Sequence, residues 1–440
     1  MTTESARPTP APEPISSRTW LVLALLAVTG QIAWAVENMW FNTFVFDELT
    51  PDPRPVAWMV AASAITATLT TLFMGTLSDR ARTRWGRRRP FILFGYILWG
   101  LSTIAFPTVA YIRVTGLAIA AVVIADSLMT FFGSTANDAA FSAWTADIAS
   151  SSTRGRVEGV LQIGVYVAQV FTMVAAGILI DRVGYFIFFY ALGAVVSLAG
   201  LIGGGLLRDA PYPPETEKRR SFWAELAELF RLDTLRNNRA LFILLLYIMV
   251  VSIGMQVALP YLLIYLENFV GMTKSEFSIV GGAVLVGSAL LALPLGLLAD
   301  RFDRRKMLAA ATVLSALGAF LLSFMRSLPS LALTALLWQS MSVAASIASV
   351  AWLKDLLPEE SRGKFLGIRM LFWIAIPMVI GPFIGSSLIQ AFGIPTVLEG
   401  EAGFIPVPII FVVSAAVTVL ALVPLAFMAK QKKESLASAQ

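Results

Sequence analysis

Apolar stretches long enough to cross a bilayer follow one another along nearly the whole chain, separated by short polar segments. They cover residues 20–46, 56–78, 90–107, 114–145, 157–180, 185–207, 240–266, 277–299, 306–325, 329–352, 364–390 and 404–428. A helix rises ~1.5 Å per residue, so ~20 apolar residues span the hydrocarbon. The pattern predicts an all-α integral membrane protein of twelve transmembrane helices, six in each half.

The polar segments repeat between the halves. Gly75 precedes Asp79-Arg80 by four residues, and Gly296 precedes Asp300-Arg301 by the same interval, 221 residues later. Asp147, Arg154, Gly155 and Gly159 share their spacing with Asp355, Arg362, Gly363 and Gly367 at an offset of 208. Two matches at nearly one offset indicate an internal duplication, as in a two-halved membrane transporter.

Charge sets the orientation. With the N-terminus inside, 28 of the 33 Lys and Arg residues fall on the inner side, and Arg54, Arg113, Arg182, Lys274 and Arg326 stay outside. That asymmetry is the positive-inside pattern. It predicts a multi-pass protein of the cell membrane with both termini cytoplasmic, and it assigns the pI of 9.5 to anionic lipid rather than nucleic acid. Hydrophobic residues make up 57% of the chain and charged residues 14%, with a mean hydropathy of +0.76. A water-soluble domain of this size does not have that balance.

Residues 1–18 read as a disordered cytoplasmic tail, without a cleaved leader, and 429–440 as a second cytoplasmic tail. The six-helix units are 19–207 and 240–428. Between them, 208–239 forms a cytoplasmic linker in which Phe222, Leu226, Leu229 and Phe230 have helical spacing. That helix lies on the membrane surface or packs beneath the cytoplasmic loops.

The chain has no Cys and no His. Thiol nucleophiles, disulfides, zinc sites and imidazole relays are therefore excluded. Neither a phosphate-binding loop G-x-x-x-x-G-K-[ST] nor a nucleophile elbow G-x-S-x-G occurs. The reading is of a non-enzymatic carrier that needs no cofactor and draws on an ion gradient.

Six plus six helices, a cytoplasmic linker and the G-x-x-x-D-R signature resemble the major facilitator superfamily over the whole chain. The resemblance implies two bundles rocking about a central cavity lined by spans 1, 4, 7 and 10. Asp79, Arg80, Arg84, Asp147 and Arg154, with their repeats Asp300, Arg301, Asp355 and Arg362, sit at inner helix ends. They read as a cytoplasmic gate of charge-assisted hydrogen bonds, or as topology markers alone.

Charged groups inside the bilayer cost roughly 2.5–3.5 kcal/mol or more. Three acids fall there: Glu37 in span 1, and Asp126 and Asp138 in span 4. Asp126, Thr130, Gly133 and Asn137 recur at helical spacing on one face. Burial disfavours the charged carboxylate, so such groups can load a proton on one side and release it on the other. The competing role is a carboxyl bonded to a neighbouring helix for packing. The C-terminal cavity spans offer neutral groups instead: Gln256, Tyr261 and Tyr265, then Trp338, Gln339, Ser342 and Ser346. With Gln31, Trp34, Asn38 and Asn137 they suit a polyhydroxylated neutral solute, whose C–H faces stack on rings while amides bond its hydroxyls. The Ser and Ala residues of span 10 equally suit close helix packing.

Arg84-Trp-Gly-Arg-Arg-Arg-Pro-Phe-Ile92, Gly30-Gln31-x-x-Trp34-Ala35 and Asp138-x-x-Phe141 ending in Ala146-Asp147 are similar to the glycoside–pentoside–hexuronide:cation and sucrose-type symporters. Melibiose-type sodium symporters carry aspartates where this chain has Ala67 and Thr71, although Asp138 matches their fourth-span acid. A proton therefore fits better than sodium. The leading expectation is a monomeric symporter of protons with a neutral sugar or glycoside, working by alternating access. The alternatives are proton-driven efflux of amphipathic drugs or a natural product, and a non-transporting sensor or assembly factor.

Overall fold

The computed structural model describes residues 15–150, 152–209, 238–301, 303–356, 369–398 and 400–428. The expected linker helix and most of both tails lie outside these residues. The helices are α1 Ser17–Glu48, α2 Arg54–Arg80, α3 Arg89–Tyr111, α4 Thr115–Ile148, α5 154–183, α6 185–206, α7 Arg239–Val270, α8 Lys274–Arg301, α9 Arg304–Leu322, α10 Leu328–Leu356, α11 Leu371–Phe392 and α12 Ile409–Ala426.

Among the described residues, eleven continuous helical stretches are long and apolar enough to cross a membrane. One of them, Arg154–Leu206, has 53 residues, which at ~1.5 Å per residue is far too long for one crossing. Gly184 breaks it, with φ of 77° and ψ of 166°. This left-handed position is open to glycine without steric cost. Two spans, α5 and α6, result, and twelve crossings are present.

Small residues set the packing, as is usual where lipid removes the hydrophobic drive between helices. In the α3–α6 seam a Cβ on Gly193 would lie 2.4 Å from the Gly100 carbonyl oxygen, so the backbones touch. In the second half a Cβ on Gly318 of α9 would lie 2.6 Å from the Trp338 nitrogen of α10. Aromatic rings fill the wider gaps: Phe41 of α1 stacks on Phe106 of α3 at 3.9 Å between centroids, and Phe189 of α6 meets both. Wide π-type turns interrupt α1 at Glu37–Phe41, α4 at Ser134–Phe141 and α5 at Phe171–Ala176, end α7 at Leu266–Val270 and begin α11 at Leu371–Ala375. Such turns frequently mark functional positions, and two of these hold Glu37 and Asp138.

One element departs from the all-helical expectation. Residues read as loop and as the start of the last span form an antiparallel hairpin, β1 Ile394–Leu398 and β2 Glu401–Ile405, with Gly400 at φ of 90° in its turn. The last helix accordingly begins at Ile409 rather than 404.

The two halves are joined at the end away from the Arg-rich loops. There β2 lies on the first half: the Phe404 N–H donates to the Pro51 carbonyl at 3.0 Å, and the Thr115 hydroxyl donates to Glu401 at 2.5 Å. Ser275 of α8 donates through its N–H to Asp181 at 2.8 Å. Lys274 of α8 pairs with Asp47 of α1 at 3.1 Å and also with Glu267 of α7. Along the membrane, α2 packs on α11, and α8 packs on the π-type turn of α5.

Candidate functional site

The first half holds two polar clusters in its interior. The first lies where α1, α2 and α4 meet. Glu37 and Asp126 are 6% and 2% exposed. The Thr130 hydroxyl donates to Glu37 Oε1 at 3.0 Å, Ser63 of α2 donates to the same oxygen at 3.2 Å, and the two hydroxyls approach to 2.5 Å. Ser63 also faces the Asp126 carboxyl. Glu37 Oε2 and Asp126 Oδ1 are buried without hydrogen-bond partners.

Counting protons shows what this cluster can do. Three oxygens, Ser63 Oγ, Thr130 Oγ1 and Glu37 Oε1, make three mutual contacts, and the two hydroxyls supply two protons. With both hydroxyls donating to Glu37 Oε1 the Ser63–Thr130 contact has no hydrogen, whereas a proton on Oε1 donated to one hydroxyl frees that hydroxyl to donate to the other and fills the ring. An ionised Glu37 leaves one close oxygen pair with no hydrogen between. Buried polar atoms without partners cost about 1–3 kcal/mol, more for charged groups. The geometry thus matches a carboxyl pair that carries at least one proton.

The second cluster lies one to two turns further along α4, toward the Arg-rich end. Asp138 accepts from Asn137 Nδ2 at 3.0 Å and from Ser134 at 3.1 Å. Tyr96 of α3 donates to Asn137 Oδ1 at 2.9 Å. The Trp34 indole N–H is buried beside Asp138 with no satisfied hydrogen bond. A Cβ on Gly133 would lie 2.8 Å from the Trp99 ring and 3.0 Å from the Trp34 ring, and one on Gly30 would lie 2.5 Å from Asn137 Oδ1. Both glycines are spaces that let the aromatic and amide groups converge. Thr130 of the first cluster and Ser134 of the second are one turn apart on α4.

A cavity of about 160 Å³ opens beside the second cluster, lined by Gln31 of α1, Asn137, Ser142 and Thr145 of α4, and Glu158 and Gln162 of α5 among others. Two of the amide side chains expected at a solute site, Gln31 and Asn137, therefore share one wall. The others are spread. Asn38 is exposed, and its side chain is bound to the Trp34 carbonyl at 2.7 Å. Tyr261 is fully buried at the joined end, donating to the carbonyls of Pro53 at 3.2 Å and Pro382 at 3.0 Å, so its hydroxyl links the halves. Gln256 packs against Gly381 of α11, and Gln339 is exposed on α10.

At the Arg-rich end the acids of the gate motif have other partners than the spacing suggested. Arg88 binds Asp79, donates to Ser78 at 2.7 Å and reaches Asp147 at 3.4 Å, while Arg87 binds Asp147 at 2.7 Å. Arg80 and Arg154 are exposed, and Arg84 stacks over Trp85 at 5.7 Å. The motif arginines that matter locally are those just before α3, because the loop folds back over the α2 and α4 ends. Asp209 clasps the turn by accepting from the N–H groups of Arg88 and Arg89 at 3.0 and 3.2 Å. In the second half Asp355 pairs with Arg304. Arg362 and the side chains of Asp300 and Arg301 lie outside the described residues.

Sequence reading missed Ser63, Glu158 and Gln162. Ser63 sits in an Ala- and Thr-rich run that gives no polar signal. Glu158 lies one residue inside the predicted start of its span, where an acid reads as a helix-start residue, although its one-turn spacing from Gln162 was available.

Twelve helices in two packed halves, buried carboxyls in the interior and Arg-rich loops at one end define a multi-pass membrane transporter. The family model described as Major Facilitator Superfamily matches residues 20–270 and 244–440. The chain belongs to that superfamily. It is 30% identical over 139 residues to the inner membrane transport protein YajR of Escherichia coli, covering 31% of this chain and 30% of that protein. It is 33% identical over 106 residues to the general alpha-glucoside permease of Schizosaccharomyces pombe, covering 23% of this chain and 19% of that one. The uncharacterized MFS-type transporter YuxJ of Bacillus subtilis matches at 25% over 246 residues, 55% of this chain and 61% of that one. The matched segments thus span less than two thirds of each relative. Among solved structures, the nucleoside transporter NupG aligns with a TM-score of 0.69 at 13% identity over 94% of this chain and 99% of that one. A bacterial homolog of the lysosomal transporter Spinster, inward-facing and unoccupied, aligns at 0.69 and 15% over 94% and 97%. At these identities the likeness is one of fold.

Proposed function

We propose that this chain is a proton-coupled symporter of a polyhydroxylated solute of the sugar or glycoside class, in the cell membrane with both termini cytoplasmic. The observation that carries the coupling is the Glu37–Ser63–Thr130–Asp126 cluster, whose oxygen contacts outnumber its hydroxyl protons and whose outer carboxyl oxygens have no partner. Asp138 stands between this pair and the cavity, which gives a proton a stepwise route along α4. Sodium fits less well, because the positions expected to carry further acids are Ala67 and Thr71.

The joined end is then the outer gate and the Arg-rich end the cytoplasmic mouth. Support for a hydroxylated solute comes from the amides and hydroxyls of the cavity wall and from the partial match to an alpha-glucoside permease. The NupG likeness keeps nucleosides, themselves polyhydroxylated, among the solutes to assay. Purified protein in liposomes with an imposed inward proton gradient should accumulate a labelled glycoside and lose that uptake when a protonophore is added. Uptake indifferent to the gradient would point to uniport, and silence toward sugars with export of lipophilic compounds would point to efflux.

A further inference from the structure

The cavity between α1, α4 and α5 separates its polar lining into spent and unspent groups. The Asn137 side chain is held by Tyr96 and Asp138, Ser142 donates to the Asn137 carbonyl at 3.2 Å, and Thr145 donates to the Ser142 carbonyl at 2.8 Å. Gln31, half-buried, and Glu158 and Gln162, both exposed, make no hydrogen bond or ion pair among the described residues, and all three line the same space of about 160 Å³. Glu158 and Gln162 are one turn apart on α5 and Gln31 faces them from α1. Among the described residues, no Lys or Arg lines the cavity. Apolar side chains, Ala27, Phe141, Leu161 and Val165, complete the wall.

Two free amides offer donors and acceptors, whereas a free carboxylate offers acceptors only and a negative charge. A ligand that satisfies all three brings hydroxyls to the amides and a charged donor to Glu158. We infer that this cavity is a solute subsite for a hydroxylated molecule bearing a protonated amine, such as an amino sugar, and that Glu158 is its charge-selecting residue. Anionic sugars, including phosphorylated and carboxylated ones, are rejected, because nothing in the wall pairs their charge and Glu158 repels it. Glu158 is the fifth residue of α5, past its first turn, and a residual role toward the helix dipole would leave solute selectivity unchanged on neutralisation. The inference rests on the sugar-class reading above and narrows it.

The experiment is a binding panel on the full-length purified protein, using glucosamine, methyl glucoside and glucuronate, for wild type and for Glu158→Gln, Gln31→Ala and Gln162→Ala. Wild type should bind glucosamine most tightly and glucuronate least. Glu158→Gln should weaken glucosamine by roughly 10- to 100-fold, as expected for loss of a charge-assisted hydrogen bond, and shift methyl glucoside far less, while an unaltered thermal unfolding midpoint shows that the variant is folded. The two amide variants should weaken glucosamine and methyl glucoside alike. Should methyl glucoside bind as tightly as glucosamine, or Glu158→Gln leave their ratio unaltered, the amine subsite is wrong while the sugar-class reading stands. Should none of the three probes bind wild type, the sugar-class reading falls and this subsite with it.

Discussion

Lys274 joins the halves at the end away from the Arg-rich loops, and removing its charge should open that end. Its side chain is 11% exposed and lies between Asp47 of the first half, 20% exposed, and Glu267 of the second, 24% exposed. The ammonium also sits 5.3 Å from the centre of the Tyr185 ring. In Lys274→Ala the two carboxylates face each other without a cation, and separating the halves relieves them. Breaking a fully buried pair costs 3–5 kcal/mol and an exposed one about 0.2–1 kcal/mol. For this intermediate burial ~2 kcal/mol is a fair figure, which moves the balance between closed and open by about 30-fold. Spin labels on cysteines placed at Arg113 and Val397, both exposed, would report the distance across this end in a chain without native cysteine. Wild type should give one short distance, Lys274→Ala a second, longer population, and Lys274→Arg the wild-type pattern. A Lys274→Ala protein that keeps the single short distance would refute the clamp.

Two further outcomes follow from the same geometry. A Cβ on Gly403 would lie 2.2 Å from the Pro51 carbonyl carbon, so Gly403→Val should lift the hairpin from the first half. The same spin-label pair should lengthen and the Phe404 amide should lose its protection from hydrogen exchange. Arg88→Gln removes bonds to Asp79, Asp147 and Ser78 and should lower thermal stability by ~2–3 kcal/mol, whereas Arg84→Gln, lying over an exposed Trp85, should cost well under ~1 kcal/mol.

Hydropathy and duplicated spacing made the helices legible, because a bilayer demands ~20 apolar residues at each crossing whatever the partners. Even the short break at Gly184 fell between two predicted spans. The hairpin was not legible in the same way: Ile394–Ile405 is short, apolar and next to a span, so it read as loop and helix start. Its signal was Gly400 between two runs rich in β-branched and apolar residues. The buried acids stood out as rare charges in apolar helices. Their grouping did not, since Glu37 and Asp126 meet through Ser63 of a third helix. Likewise Asp79 and Asp147 were legible as motif acids, but which of six clustered arginines turned back toward them depended on the path of the 81–88 loop.

The coupling claim is tested most directly by proton-driven uptake in liposomes for wild type, Glu37→Gln and Asp126→Asn, measured beside solute exchange without a gradient. The account predicts that wild type accumulates solute above its external concentration when the outside is made acidic. Each variant should lose that accumulation while still exchanging labelled for unlabelled solute, since exchange requires no net release of a proton. Accumulation at the wild-type level in both variants would contradict the assignment of the proton to this pair.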